Sequence, residues 1–127
     1  MKKMLIVEDD NLSVSVMQRL FQNDFEIFSA TSAKEFYEYF DNTVFDIVIM
    51  DISLRGGKNG LEIIEEINAN PKYPRTPIIC FTAHSHIEIK QKAIQVGVDH
   101  FLTKPVSNAV LMEAVQSLIK IDSISIE

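Results

Sequence analysis

A chain of 127 residues, 46% hydrophobic and 24% charged, is one domain's worth of sequence, too apolar to be disordered and long enough to bury most of its apolar surface. The net charge of −6 disfavours nucleic acid or an anionic membrane as a direct partner, and no apolar run approaches the ~18–20 residues of a membrane span. MKKMLIVEDD lacks the long apolar region of a signal peptide and the single cysteine, Cys80, excludes an internal disulfide, so a reduced, cytoplasmic setting is expected.

In chain order, KMLIV (3–7) reads as a strand, followed by a helix over about 11–23 with Leu12, Val16 and Leu20 on one face. FEIFSA (25–30) is a second strand. Ser32 with Glu35 three residues later predicts a capping box for a second helix carrying Phe36, Tyr37 and Phe40. FDIVIMDISLRGG (45–57) holds the third strand: Ile47, Val48, Ile49 and Met50 show no polar alternation, as in a strand covered on both faces. That run ends on Asp51. Gly56, Gly57 and Gly60 do not follow a phosphate-cradling spacing and are assigned to the loop that comes next.

NGLEIIEEINAN (59–70) predicts a third helix presenting Leu61, Ile64 and Ile67, and TPIICFT (76–82) a fourth strand in which Cys80 packs among apolar neighbours. Ser85 and Glu88 repeat the capping box for a fourth helix through Ile89, Ala93 and Val96, stopped by Gly97. VDHFLT (98–103) is the fifth strand, and SNAVLMEAVQSLIKI (107–121) a last helix with Leu111, Val115 and Leu118 inward. Strict strand–helix alternation predicts an α/β domain, with right-handed crossovers and a parallel sheet flanked by helices on both faces. DSISIE (122–127) reads as a fraying end or the start of a linker.

Open sheets of this kind bind ligands outside the carboxyl ends of their strands. The first strand delivers Glu8, Asp9 and Asp10 there, the third Asp51, the fourth Thr82 followed by Ala83 and His84, and the fifth Lys104 before Pro105. With the first strand central, these tips converge. Crowded carboxylates must be protonated or neutralised by cations, and oxygen-only donors suit Mg²⁺ or Mn²⁺ rather than zinc. A hard divalent ion held by carboxylates is a usual setting for phosphoryl transfer. Lys104 adds a second positive charge, Thr82 a hydrogen-bond donor, and Asp51 is the candidate nucleophile, forming an acyl phosphate. Asp10 reads as the N-cap of the first helix, and His84 as an exposed loop histidine.

LIVEDD on the first strand, IVIMDISL on the third, CFTA on the fourth and FLTKPV after the fifth resemble, in that order, the receiver domain of two-component response regulators of the chemotaxis-regulator type. The resemblance runs from about Lys3 to Ile121, giving one domain over 1–121 and a tail or linker over 122–127. It implies a flavodoxin-like, doubly wound five-stranded parallel sheet of order 2-1-3-4-5 flanked by five helices. It further implies a phosphoacceptor rather than an enzyme with its own substrate, loaded on Asp51 by a sensor histidine kinase or phosphotransfer protein in the presence of Mg²⁺.

By the same resemblance Asp9 ligates the metal directly, Glu8 acts mostly through water, and Asp51 and the backbone carbonyl of Ser53 complete the ligands. Thr82 and Lys104 bind the phosphoryl group, and Thr82 with Phe101 forms the switch. Its output is a face made of the fourth helix, fifth strand and fifth helix, roughly Glu88–Lys120, that contacts an effector or a second copy of the chain. The Lys104–Pro105 bond is expected cis. Two features depart from the family's usual pattern: Arg55 and a longer loop follow the phosphoacceptor, and Phe101 lacks the hydroxyl of the commoner tyrosine.

A haloacid-dehalogenase-type phosphatase would carry its nucleophile on the first strand in a D-x-D pattern. A pseudo-receiver would lack one of the essential residues, and a dinucleotide-binding domain needs a glycine-rich first turn where this chain has VEDDNL. With no DNA-binding or catalytic segment in the sequence, the expectation is a stand-alone receiver or a domain excised from a longer protein.

Overall fold

The computed structural model describes residues 1–54, 57–83 and 86–119; the readings made at Arg55, Gly56, His84, Ser85 and residues 120–127 lie outside them. The elements alternate as predicted: β1 (Lys2–Val7), α1 (Asn11–Phe21), β2 (Phe25–Ala30), α2 (Ala33–Phe40), β3 (Ile47–Asp51), α3 (Gly60–Ala69), β4 (Ile78–Thr82), α4 (Ile87–Val96), β5 (His100–Thr103) and α5 (Asn108–Leu118). All neighbouring strands pair in parallel, in the order β2-β1-β3-β4-β5.

Both faces of the sheet are covered. Met4, Ile6, Ile47, Ile49, Ile79 and Phe81 pack with Met17 and Phe21 of α1 and with Leu111, Ala114 and Val115 of α5. The alternate residues Leu5, Val7, Val48, Met50, Ile78 and Cys80 pack with Phe36 and Phe40 of α2, Ile63, Ile64 and Ile67 of α3, and Val96 of α4. Every residue of β3 and of β4 is therefore buried, as their unbroken apolar runs require. Burial pushes the Cys80 thiol up to about 12, which makes it a packing group rather than a reactive one.

Several local readings need correction. The stripe of Leu12 and Val16 on α1 faces solvent at 73% and 44% exposure, while Met17 and Phe21 turn inward and Leu20 is half-buried. A four-residue spacing fits either of two adjacent faces of a helix. The contact with β2 and α5 selects the face that carries the larger Phe21. On α2, Ser32 caps Glu35 as expected, but the Glu35 carboxylate accepts from the Thr31 N–H and hydroxyl, one residue beyond a standard capping box. The reciprocal box forms on α3 instead, between Asn59 and Glu62.

α4 starts at Ile87 with His86 at its N-cap and no side-chain capping bond there, so Glu88 sits in the first turn. Gly97 ends it in the left-handed region at φ 101°, with Asn68 Nδ2 donating to Val96 O at 2.8 Å. α5 ends at Leu118, short of the expected Ile121, with Leu111, Ala114 and Val115 buried and Leu118 only half-buried. Gly60 is no loop residue: it opens α3. A side chain there would put Cβ 2.7 Å from Asp51 O and 2.9 Å from Ile52 Cα, so the absence of a side chain lets α3 abut the end of β3. The Lys104–Pro105 peptide is cis, as expected.

Candidate functional site

Parallel register brings the strand ends out at one edge: Val7 lies beside Met50, Asp51 beside Phe81, and Thr82 beside Thr103. Asp51 and Thr82 close their strands, Glu8 and Asp9 follow β1 directly, and Lys104 follows β5. One carboxylate oxygen each from Glu8, Asp9 and Asp51 lies within 4.8 Å of the others, the only such acid cluster among the described residues. Lys104 Nζ donates to Glu8 Oε1 at 2.7 Å and to Asp51 Oδ2 at 3.0 Å, and sits 4.6 Å from the centre of the Phe81 ring.

Asp10 turns away from this cluster. Its carboxylate accepts from the Ser13 hydroxyl and N–H and so caps α1, which holds it below the usual carboxylate range, while its own N–H donates to Glu8 Oε2. It is the N-cap read from the sequence.

Burial sets the electrostatics. Glu8 is 1% exposed and Asp51 4%. Loss of water pushes the Glu8 carboxyl up to about 7; the Lys104 ammonium opposes this, and the Asp51 carboxyl adds to it. Burial alone would lower the Lys104 ammonium, yet its bonds to Glu8 and Asp51 together hold it above its ordinary value. Both partners of one ion pair move up because burial, with Asp51 adding to it, outweighs the lysine at Glu8, while the lysine faces two acceptors. Two carboxyls thus share the Lys104 ammonium, with the Asp9 carboxyl close by. The donor set, hard oxygens with no sulfur or imidazole, fits Mg²⁺ or Mn²⁺.

Ser53 completes the floor of the cleft. Its backbone N–H donates to Asp51 Oδ1 at 2.8 Å, and its Oγ lies 3.2 Å from Thr82 Oγ1. Thr82 is fully buried and its carbonyl accepts from the Lys104 N–H at 2.8 Å. Phe101 is half-buried, beside Cys80 in the sheet and against the α2–α3–α4 side of the core. The structure therefore brings together Glu8, Asp9, Asp51, Ser53, Thr82 and Lys104, and places Phe101 one strand away. The Ser53 hydroxyl and the close approach of Gly60 were missed from the sequence. Only the count of two residues from Asp51 to Ser53 pointed to the first, and the glycine at a helix start to the second.

Fold and site together define a doubly wound α/β domain with an acid cluster suited to a hard cation, and a lysine beside it, at the carboxyl edge of its sheet. Comparison with known proteins says which. The family described as response regulator receiver domain matches residues 4–116, and the chain belongs to that family. The regulatory protein VanRB of Enterococcus faecalis is 30% identical over 117 residues, 92% of this chain and 51% of that protein. The transcriptional regulatory protein CiaR of Streptococcus pneumoniae is 32% identical over 122 residues, 94% of this chain and 52% of that protein. The chain thus spans about half the length of these two regulators. The Vibrio cholerae chemotaxis protein CheY4 has a TM-score of 0.83 at 25% identity, covering 94% of this chain and 99% of that one. The chain is a phosphoacceptor domain of two-component signalling.

Proposed function

We propose that Asp51 is the phosphoacceptor, loaded by a sensor histidine kinase or a phosphotransfer protein. The supporting observation is Lys104 Nζ, bonded at once to the buried carboxylates of Asp51 and Glu8. An Asp51 oxygen attacks phosphorus, the bond to the donor nitrogen breaks, and the histidine leaves with the electron pair, giving an acyl phosphate. The Ser53 N–H and Lys104 hold the two Asp51 oxygens and so fix the carboxylate plane before attack. Asp9, Asp51 and the Ser53 backbone carbonyl would hold Mg²⁺ or Mn²⁺, with Glu8 beside them. When bound, the ion supplies positive charge for the transferring oxygens. Lys104 then pairs with the phosphoryl group, and the Thr82 hydroxyl donates to it.

The domain occupies 1–121 in this reading, with 122–127 a tail or linker, and works in the cytoplasm. Among the described residues no helix is long and apolar enough to cross a membrane. The donor has a surface to approach: Leu12, Val16, Pro105, Val106 and Leu111 line an apolar groove of about 510 Å³ that reaches Lys104. Output runs through the α4-β5-α5 face to an effector or a second copy of the chain, and Ile87 and Ile94 of α4 are exposed there at 66% and 62%.

Intact-mass spectrometry after acetyl phosphate and Mg²⁺ tests the assignment. The wild-type protein gains one phosphoryl group and Asp51→Asn gains none; an equal gain in the mutant rules Asp51 out.

A further inference from the structure

Ser53 reaches both halves of the site with different groups. Its main chain touches Asp51 and its side chain touches Thr82. The Ser53 main chain is also held in place. The preceding Ile52 donates from its N–H to Phe81 O at 3.4 Å, and the Ile52 carbonyl accepts from Gly60 N–H at 3.0 Å. Each of the two hydroxyls moves by rotation about a single bond. The two hydroxyls stand 3.2 Å apart, one on the loop after β3 and the other at the end of β4.

We propose that the Ser53 hydroxyl is a positioning group for Thr82, a latch that holds the threonine hydroxyl toward the loop after β3 until Asp51 is phosphorylated. This rests on the assignment of Asp51 and Thr82 given above and adds a residue to it. Thr82 is fully buried, so water cannot replace a bond that its hydroxyl gives up. A phosphoryl group on Asp51 presents charged acceptor oxygens, and a charge-assisted bond is about twice as strong as one between two neutral hydroxyls. Thr82 gains by exchanging Ser53 for the phosphoryl group. The latch thus sets how often Thr82 turns in the absence of phosphorylation. Losing one neutral hydrogen bond should raise the ratio of turned to latched Thr82 about two- to tenfold.

Thr82 side-chain rotamer populations, read from three-bond NMR couplings in donor-free protein, test the latch without any phosphoryl chemistry. Ser53→Ala should shift those populations by that factor, and Ser53→Thr, which keeps the hydroxyl, should restore the wild-type distribution. The Phe101 ring signals should move with Thr82 in Ser53→Ala, and on a Thr82→Val background the same substitution should add nothing. Unchanged Thr82 couplings in Ser53→Ala, or an undiminished Phe101 shift on the Thr82→Val background, would overturn the proposal. A wild-type protein blind to beryllofluoride would count against the Asp51 assignment alone, since the donor-free couplings still decide the latch.

Discussion

Glu8 carries the electrostatic cost of the site. Its carboxyl is raised to about 7 in the folded chain from an ordinary value of 4.5, first by burial. A raised acid contributes stability that is fully present below 4.5 and lost as pH rises through about 7. In metal-free buffer the domain should therefore melt at a lower temperature at pH 8 than at pH 5.5. Glu8→Gln should flatten that dependence and raise the pH 8 melting temperature, while weakening Mg²⁺ binding. Added Mg²⁺ should reverse the trend for the wild type, because it supplies positive charge. Scanning calorimetry at the two pH values, with and without the metal, checks all three; a wild-type profile that Glu8→Gln leaves unchanged would place the titrating group elsewhere.

At the level of elements, two contacts decide what the helices do for the site. On α1 the buried face is Met17 and Phe21, not the exposed Leu12 and Val16. Met17→Ala should cost about 2–5 kcal/mol, as for a buried large-to-small change. Leu12→Ala should stay within about 0.5 kcal/mol, as for a surface change. Urea denaturation of both variants settles the helix phase, and equal losses would contradict it. On α3, Gly60 lets the helix start against the Asp51 carbonyl, where a Cβ would come within 2.7 Å. Backbone cannot yield as a flexible side chain does. Gly60→Ala should destabilise by about 1–3 kcal/mol and, by displacing the end of β3, slow phosphoryl uptake from acetyl phosphate. Wild-type uptake in that variant would show that α3 does not fix the phosphoacceptor.

For the molecule as a whole, the proposed output requires a change at Asp51 to reach the α4-β5-α5 face. Thr82 and Phe101 lie on neighbouring strands that tie the cleft to that face, and switching of this kind works by shifting populations that exist beforehand. Thr82→Ala should take up the phosphoryl group at Asp51 yet lose most of the beryllofluoride-induced NMR shifts across α4, β5 and α5. A full wild-type shift pattern in that variant would break the link. The alternating order of elements, the helices on both faces and the four chemical strand tips could all be read along the chain, because they depend on apolar runs and on residues a strand end must deliver. The lysine, the acids and the threonine were placed by type at strand ends that the structure brings to one edge. Which side of α1 faces inward, and that the Ser53 hydroxyl meets Thr82, depend on contacts between segments distant in sequence. Neither helical periodicity nor local capping rules contain the position of a partner 29 residues away, as between Ser53 and Thr82; that distance closes only when β3 and β4 pair in register.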